Sequence, residues 1–282
     1  MFKIGIIGNG YVGKATSILE CEEIECLIYD KDPEKCKPLG LKFEELLSCD
    51  FVFVCVPTPM VKDTGRCFVG IVESVVSDLK SCGYKSNKIV IRSTVPIGTS
   101  ANLSTCFMPE FLTEANWEED FKNVSTRIIG MPNPKDQALS GKFLNLFYAA
   151  TSNKKINESK YTFCSTKEAE TIKLARNSFL AVKVSFFNEI YSLCENLDID
   201  YKTVADMIAA DKRIGGSHTQ VPGPDGKRGF GGTCFPKDIN SLVYQMHNKQ
   251  LIPSIMGAAK YRNENLDRPE QDWMENQGRA VI

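Results

Sequence analysis

Along the first 165 residues, short apolar runs alternate with longer segments in which apolar residues return every three or four positions. Runs at Lys3–Ile7, Cys26–Tyr29, Phe51–Val56, Lys88–Arg92, Arg127–Ile129 and Tyr161–Cys164 are bounded by Gly, Pro, Asp and Asn. Several are apolar on consecutive positions, as in "FVFVCV" at 51–56. A strand buried on both faces reads that way, so a parallel sheet covered by helices on each side is expected. Helical spacing lies between the runs, near 12–22, 33–37, 68–82 and 134–149. This alternation predicts a doubly wound α/β domain.

The pattern changes at residue 166. "STKEAETIKLARNSFLAVKVSFFNEIYSLCENL" opens with Ser165 or Thr166 as a cap and acidic residues in the first turn. It then holds helical periodicity to about Leu197. No strand pattern follows. Helices are expected near 201–210, 237–248 and 253–263, with a long Gly/Pro-rich loop over 213–236. The expected division is a Rossmann-like parallel-sheet domain over 1–165 and a smaller all-helical domain over 166–262, begun by the long connecting helix. A polar tail with weak structure signals occupies 263–282.

Composition narrows the function. The 282 residues are 43% hydrophobic, ample for a core, and 34 Lys+Arg balance 35 Asp+Glu. A near-neutral surface gives no reason to expect nucleic acid or an anionic membrane as partner. Eleven cysteines are scattered without a CxxC pair, beside only two histidines, so no metal site is expected. Free thiols on this scale fit a reducing compartment. The N-terminus lacks the features of a signal peptide, and the longest apolar runs are strand-sized. A cytoplasmic protein is the expectation.

The first site is "GIIGNGYVGKA", where Gly8, Gly10 and Gly13 follow an apolar strand and open a helix. Glycines at this spacing allow a tight turn, close approach of backbone to a pyrophosphate, and close helix–strand packing. Tyr11 and Val12 lie on the same turn. Asp30 ends the second strand about twenty residues on, where an acid can bond ribose hydroxyls and disfavour a 2′-phosphate. NAD is therefore the expected cofactor, with Lys35 close enough to contribute. "CVPTP" (55–59) and "RSTVPIGTS" (92–100) end the third and fourth strands, the edge at which such sheets bind ligands. They offer Thr58 and Thr94.

The second site is "GFGGTCFPKD" (229–238), a lone cysteine among glycines with an aspartate four places on. With GxGYVG, "PTP", "STVPIGT", "PEFLTE" (109–114), "KLARN" (173–177) and "FFNE" (186–189) in this order, the chain resembles the UDP-glucose/GDP-mannose dehydrogenase family over roughly residues 1–262. The resemblance implies four-electron oxidation of a nucleotide-sugar primary alcohol to a carboxylate, with two NAD+ reduced and UDP-glucose the favoured substrate. Oxidising an aldehyde to an acid needs a nucleophile, and a thiolate supplies one through a thiohemiacetal and a thioester. Cys234 matches the family nucleophile and Asp238 a carboxylate that handles water and protons beside it. Lys173 and Asn177, one helical turn apart, match the pair that stabilises an oxyanion. Thr94, Glu110 and Glu114 match a water-holding threonine and two acids near the sugar, Glu114 and Thr94 lying also toward the cofactor. Phe111, Leu112, Phe230 and Gly231 fall on the substrate-binding segments. Arg213 matches an arginine that reaches the nucleotide phosphate of a neighbouring subunit, and helix 166–197 matches the family's dimer-forming helix. A homodimer is thus expected.

Departures from the family pattern carry their own expectations. The family continues into a third, Rossmann-like domain that closes over the nucleotide, and no further βαβ pattern follows the helical part here. "PGPDGKR" lengthens the loop before the cysteine, so Lys227 and Arg228 are candidates for phosphate contacts. Other nucleotide sugars, GDP-mannose or N-acetylated UDP-sugars, share most of these motifs. A non-catalytic remnant that binds NAD or a nucleotide sugar is the alternative of a different class. A single-oxidation hydroxyacid dehydrogenase would have no use for Cys234.

Overall fold

Consecutive apolar residues in the first half build a seven-stranded sheet in a computed structural model that describes all of residues 1–282. The strands are β1 (Phe2–Ile7), β2 (Ile24–Tyr29), β3 (Phe51–Val54), β4 (Ile89–Ile91), β5 (Cys106–Phe107), β6 (Thr126–Met131) and β7 (Lys160–Ser165). Their order is β2-β1-β3-β4-β5-β6-β7. Pairing is parallel except between β5 and β6, where Phe107 meets Gly130 in antiparallel register.

Helices cover both faces. Ile4, Phe51, Phe53 and Val90 point into one core with Phe121 and with Phe143, Leu146 and Phe147. Val52, Val54, Ile89 and Ile91 point into the opposite core with Val72, Val76 and Leu79. Adjacent strand residues thus feed opposite cores, which is why the strands read as unbroken apolar runs. The helices of this unit are α1 (Tyr11–Ser17), α2 (Gly70–Ser81), α3 (Thr99–Leu103), α4 (Trp117–Lys122) and α5 (Gln137–Ser152). Helix α1 stops earlier than its periodicity predicts, because Ile18, Leu19 and Glu20 donate to carbonyls three residues back and tighten the last turn. Helix α5 starts later than expected, at the point where the Asp136 carboxylate accepts from Leu139 N at 3.0 Å.

The chain forms two units: Met1–Thr58 with Val69–Lys173, and Pro59–Phe68 with Leu174–Ile282. Helix α6 (Thr166–Leu197) runs 32 residues. Its cap is Ser165, whose N–H and hydroxyl both bond Glu168 Oε2, at 2.7 and 2.6 Å. The second unit adds α7 (Tyr201–Ala209), α8 (Phe235–Asn248) and α9 (Ser254–Arg262). Ala181, Phe230, Ile239, Val243 and Ala259 form its main core.

The tail is better built than its polar sequence predicts. One π-helical turn spans Asn263–Asp267. Trp273 is 1% exposed and packs with Met60, Ala280 and Val281. Met60 N donates to Ala280 O at 2.7 Å, and Ile282 N donates to Met60 O at 2.9 Å. No helix of the chain is long and apolar enough to cross a membrane.

Candidate active site

The glycine turn after β1 has the shape the sequence predicts. Gly8 has φ +98°, and a Cβ there would fall 2.7 Å from the Cys55 carbonyl oxygen. A Cβ on Gly13 would meet the Gly8 oxygen at 1.9 Å, while one on Gly10 would meet nothing within 4 Å. The turn therefore needs its glycines for its own closure and leaves open space at Gly10, as a pyrophosphate requires. Tyr11 and Val12, both half-buried, form the first turn of α1. Asp30, half-buried at the end of β2, accepts from Asn9 N at 2.7 Å and from Asp32 N at 3.0 Å. It braces the glycine turn and keeps lone pairs for ribose hydroxyls. The exposed Lys35 pairs with Asp32 at 3.1 Å, and its carbonyl accepts from Asn9 Nδ2 at 2.8 Å. These residues fit an NAD site. At the neighbouring strand ends the buried Thr58 hydroxyl donates to the Thr94 carbonyl at 2.7 Å, joining the loops that follow β3 and β4.

The same unit holds a buried ion pair. Lys173 and Glu110 are 2% and 5% exposed. Lys173 Nζ donates to Glu110 Oε1 and to the Glu110 carbonyl, each at 2.7 Å. The other carboxylate oxygen accepts from Leu112 N at 2.9 Å, and the Phe111 ring lies 5.4 Å from Nζ. The segment 110–112 is thus clasped to α6. Glu114, further along the loop, is exposed.

The second unit holds the cysteine. Cys234 is the N-cap of α8, with Pro236 in the first turn, so its thiol is at the positive end of a 14-residue helix. It is half-buried and free of any disulfide. Lys237 and Asp238 lie on the turn that follows and are buried. Asp238 accepts from Lys237 Nζ through one oxygen, and from Asn177 Nδ2 through the other at 2.6 Å. Burial would pull the Lys237 ammonium pKa down, but the charge of Asp238, with Cys67 and Cys234 in support, outweighs it and leaves the pKa raised. The result is a thiol at a helix N-terminus, one turn from a carboxylate fixed by a cation and an amide. Nothing in "CFPKD" marks Lys237 as buried.

Other expected site residues have partners of their own within the second unit. Arg213 has its side chain 90% exposed and bonded to Asp211 at 2.6 Å. The Phe230 ring is packed in the core, and both its backbone groups are taken by Asn263, at 2.7 and 2.9 Å. Gly231 lies against the Arg268 guanidinium, where a Cβ would fall 2.4 Å from Cζ. Lys227 and Arg228, expected to contact phosphate, are paired with carboxylates of the chain. Lys227 pairs with Glu270 and Asp272 at 3.3 and 2.9 Å, and Arg228 with Asp267 at 3.3 Å. Tail carboxylates hold both cations, and nothing in the sequence marked the tail as their partner.

Comparison with known proteins agrees with this geometry. Residues 40–151 match the NAD binding domain of the UDP-glucose/GDP-mannose dehydrogenase family, and residues 167–265 match its central domain. The UDP-glucose 6-dehydrogenase of Rickettsia typhi is 30% identical over 309 aligned positions, which cover 93% of this chain and 68% of that protein. A UDP-glucose dehydrogenase structure from the archaeon Pyrobaculum islandicum superposes with a TM-score of 0.78 at 25% identity, over 94% of this chain and 68% of the other. A 3-hydroxyisobutyrate dehydrogenase of Mycobacterium tuberculosis shares the fold, with a TM-score of 0.71 at 16% identity over 96% of both chains. That last enzyme shows that the architecture serves more than one dehydrogenase. By profile, by sequence and by its NAD-binding turn, the chain belongs to the UDP-glucose/GDP-mannose dehydrogenase family.

Proposed function

We propose that this protein oxidises the primary alcohol of a nucleotide sugar to a carboxylate in two NAD-dependent steps, with UDP-glucose as substrate and UDP-glucuronate as product. The observation that carries this reading is Cys234 at the N-terminus of α8, one turn from the buried Asp238. NAD supplies the hydride acceptor for each oxidation. The chain's own part is nucleophilic. As a thiolate, Cys234 adds to the intermediate aldehyde and gives a thiohemiacetal, whose oxidation leaves a thioester. Water then attacks the thioester carbonyl, the C–S bond breaks, and the thiolate is released. Asp238, held by Lys237 and Asn177, accepts the proton of that water or passes it on. Lys173 and Asn177, one turn apart on α6, offer an ammonium and an amide to the oxyanions on the path. Glu110 fixes the Lys173 ammonium, and Glu114, Thr94 and Arg213 keep the supporting roles the family resemblance gives them.

A homodimer belongs to the same proposal. Phe179, Phe186 and Leu193 recur every seven residues on α6, Leu197 follows four on, and they are 66%, 49%, 52% and 57% exposed. An apolar stripe at heptad spacing on a long helix is what a helix–helix interface uses.

The test is the amount of NADH formed per mole of limiting UDP-glucose at completion. Two per sugar supports the four-electron reaction, and one per sugar refutes it. Cys234→Ser should abolish the second equivalent. A protein that binds UDP-glucose and NAD but forms no NADH with any nucleotide sugar would instead be the binding remnant.

A further inference from the structure

Two arginines are buried in the first unit without a carboxylate partner. Arg92 follows β4 and Arg127 lies on β6; they are 2% and 3% exposed. Each guanidinium carries five N–H donors. Arg92 donates from Nη1 to the Thr16 hydroxyl at a long 3.3 Å, and Arg127 from Nη2 to the Phe121 carbonyl at 2.8 Å. The Nε of each is buried and unbonded. Both guanidiniums lie over the Phe121 ring, at 5.4 and 4.7 Å, and Arg127 also lies 5.2 Å from Phe147. Those ring faces offset part of the cost of burying cations. They accept no N–H in the plane of a guanidinium.

Both arginines line one cavity of about 30 Å³ beneath the segment 109–112. A water needs roughly 10–15 Å³ of such space, so a small ion fits and a large one does not. Two carboxylates also line it, Glu110 and Asp120. Neither forms an ion pair with an arginine: both Glu110 oxygens are bound, by Lys173 and Leu112 N, and Asp120 Oδ2 accepts from the amide and hydroxyl of Thr113, at 2.8 and 2.7 Å. Burial lowers both arginine pKa values, that of Arg127 to about 10 with Arg92 adding to the effect, and that of Arg92 against the opposing charges of Cys55 and Glu110. Buried cations without an anion cost several kcal/mol each.

We propose that the cavity between Arg92 and Arg127 binds a small inorganic monoanion of the chloride class. The anion takes the free donors of both guanidiniums and neutralises part of their charge. It sits under the segment that carries Glu110, and so steadies the residue that holds Lys173.

The test uses the full chain. Thermal unfolding is followed in sodium chloride and in sodium gluconate, an anion too large for the cavity, at equal ionic strength. Chloride should raise Tm saturably, by roughly 2–4 °C at about five times its Kd. Arg127→Met should abolish the difference between the two salts. Crystals grown in bromide should show one anomalous peak within hydrogen-bonding distance of both arginines, a readout that holds even where the variant fails to fold. Equal melting in the two salts, or only water in the cavity of bromide crystals, overturns the proposal.

Discussion

Changing Asp238 to Asn strands a cation. Asp238 is fully buried, and its two oxygens accept from Lys237 Nζ and Asn177 Nδ2. An amide has a single acceptor oxygen, so one of the two donors must face an N–H₂ group. Lys237, 7% exposed, loses its counter-charge inside the second unit. Breaking one side of a buried pair costs about 3–5 kcal/mol, and each kcal/mol moves Tm by about 2–4 °C in a chain of this size, so a fall of roughly 6–20 °C is expected. The pH dependence reverses as well. In the native protein the raised Lys237 pKa gives stability that is complete below the unfolded value of about 10.5 and lost as pH climbs through the folded value. In Asp238→Asn the largest raising charge is gone and burial, the largest cause, lowers that pKa, so stability should rise as pH approaches about 10. Melts followed by circular dichroism between pH 7 and 10 would show no slope from this group in the native protein and a rising Tm in the variant. Adding Lys237→Met to the variant should restore most of the lost Tm without restoring thioester hydrolysis. A single variant that melts within a degree of the native protein, with the same slope, would refute the reasoning.

Asn177→Ala removes one oxyanion donor and should lower kcat by roughly 10²–10³-fold, with little change in KM for the nucleotide sugar. Phe186→Glu puts a charge in the apolar stripe of α6 and should shift the sedimentation coefficient to that of a monomer while leaving the NAD affinity unchanged. Asp272 is held well below the usual carboxylate range, first by Arg268 and then by Lys227. Its stabilisation is present above its ordinary pKa of about 3.9 and is lost as pH falls toward the depressed folded value. Asp272→Asn should cost about 1–2 kcal/mol at pH 6 by urea denaturation, and the gap to the native protein should narrow as pH falls below about 4.

The strands were legible because burial on both faces leaves an unbroken apolar run, as in β3. The long helix was legible because Ser165 and Glu168 spell its cap. Strand β5 was not, since two residues carry no period. Within the site, whatever depends on spacing along one element could be read: the glycine turn, the Lys173–Asn177 pair, and Cys234 ahead of Asp238. Contacts between elements could not. Asn177 and Asp238 are 61 positions apart, and Glu110 and Lys173 are 63 apart, and no local pattern records either pair. The tail misled for a related reason. Trp273, Ala280 and Val281 are too sparse to form a stripe, yet each finds a place beside Met60. The same blindness hid the carboxylates that claim Lys227 and Arg228.

That pairing of Met60 with the chain end sets an order of assembly. Residues 59–68 emerge early from the ribosome, between β3 and α2, yet two of them, Met60 and Lys62, find backbone partners in Ala280 and Ile282. The strands that flank them in sequence can pair long before those partners exist. Until then the Met60 amide and carbonyl stay open to any passing strand. Loop-closure entropy grows only slowly with length, so the long wait takes little from final stability. Its toll is on time, because contacts so distant in sequence form late. Shortening the chain by its last few residues would make that waiting state permanent and turn a folding intermediate into an aggregation-prone edge.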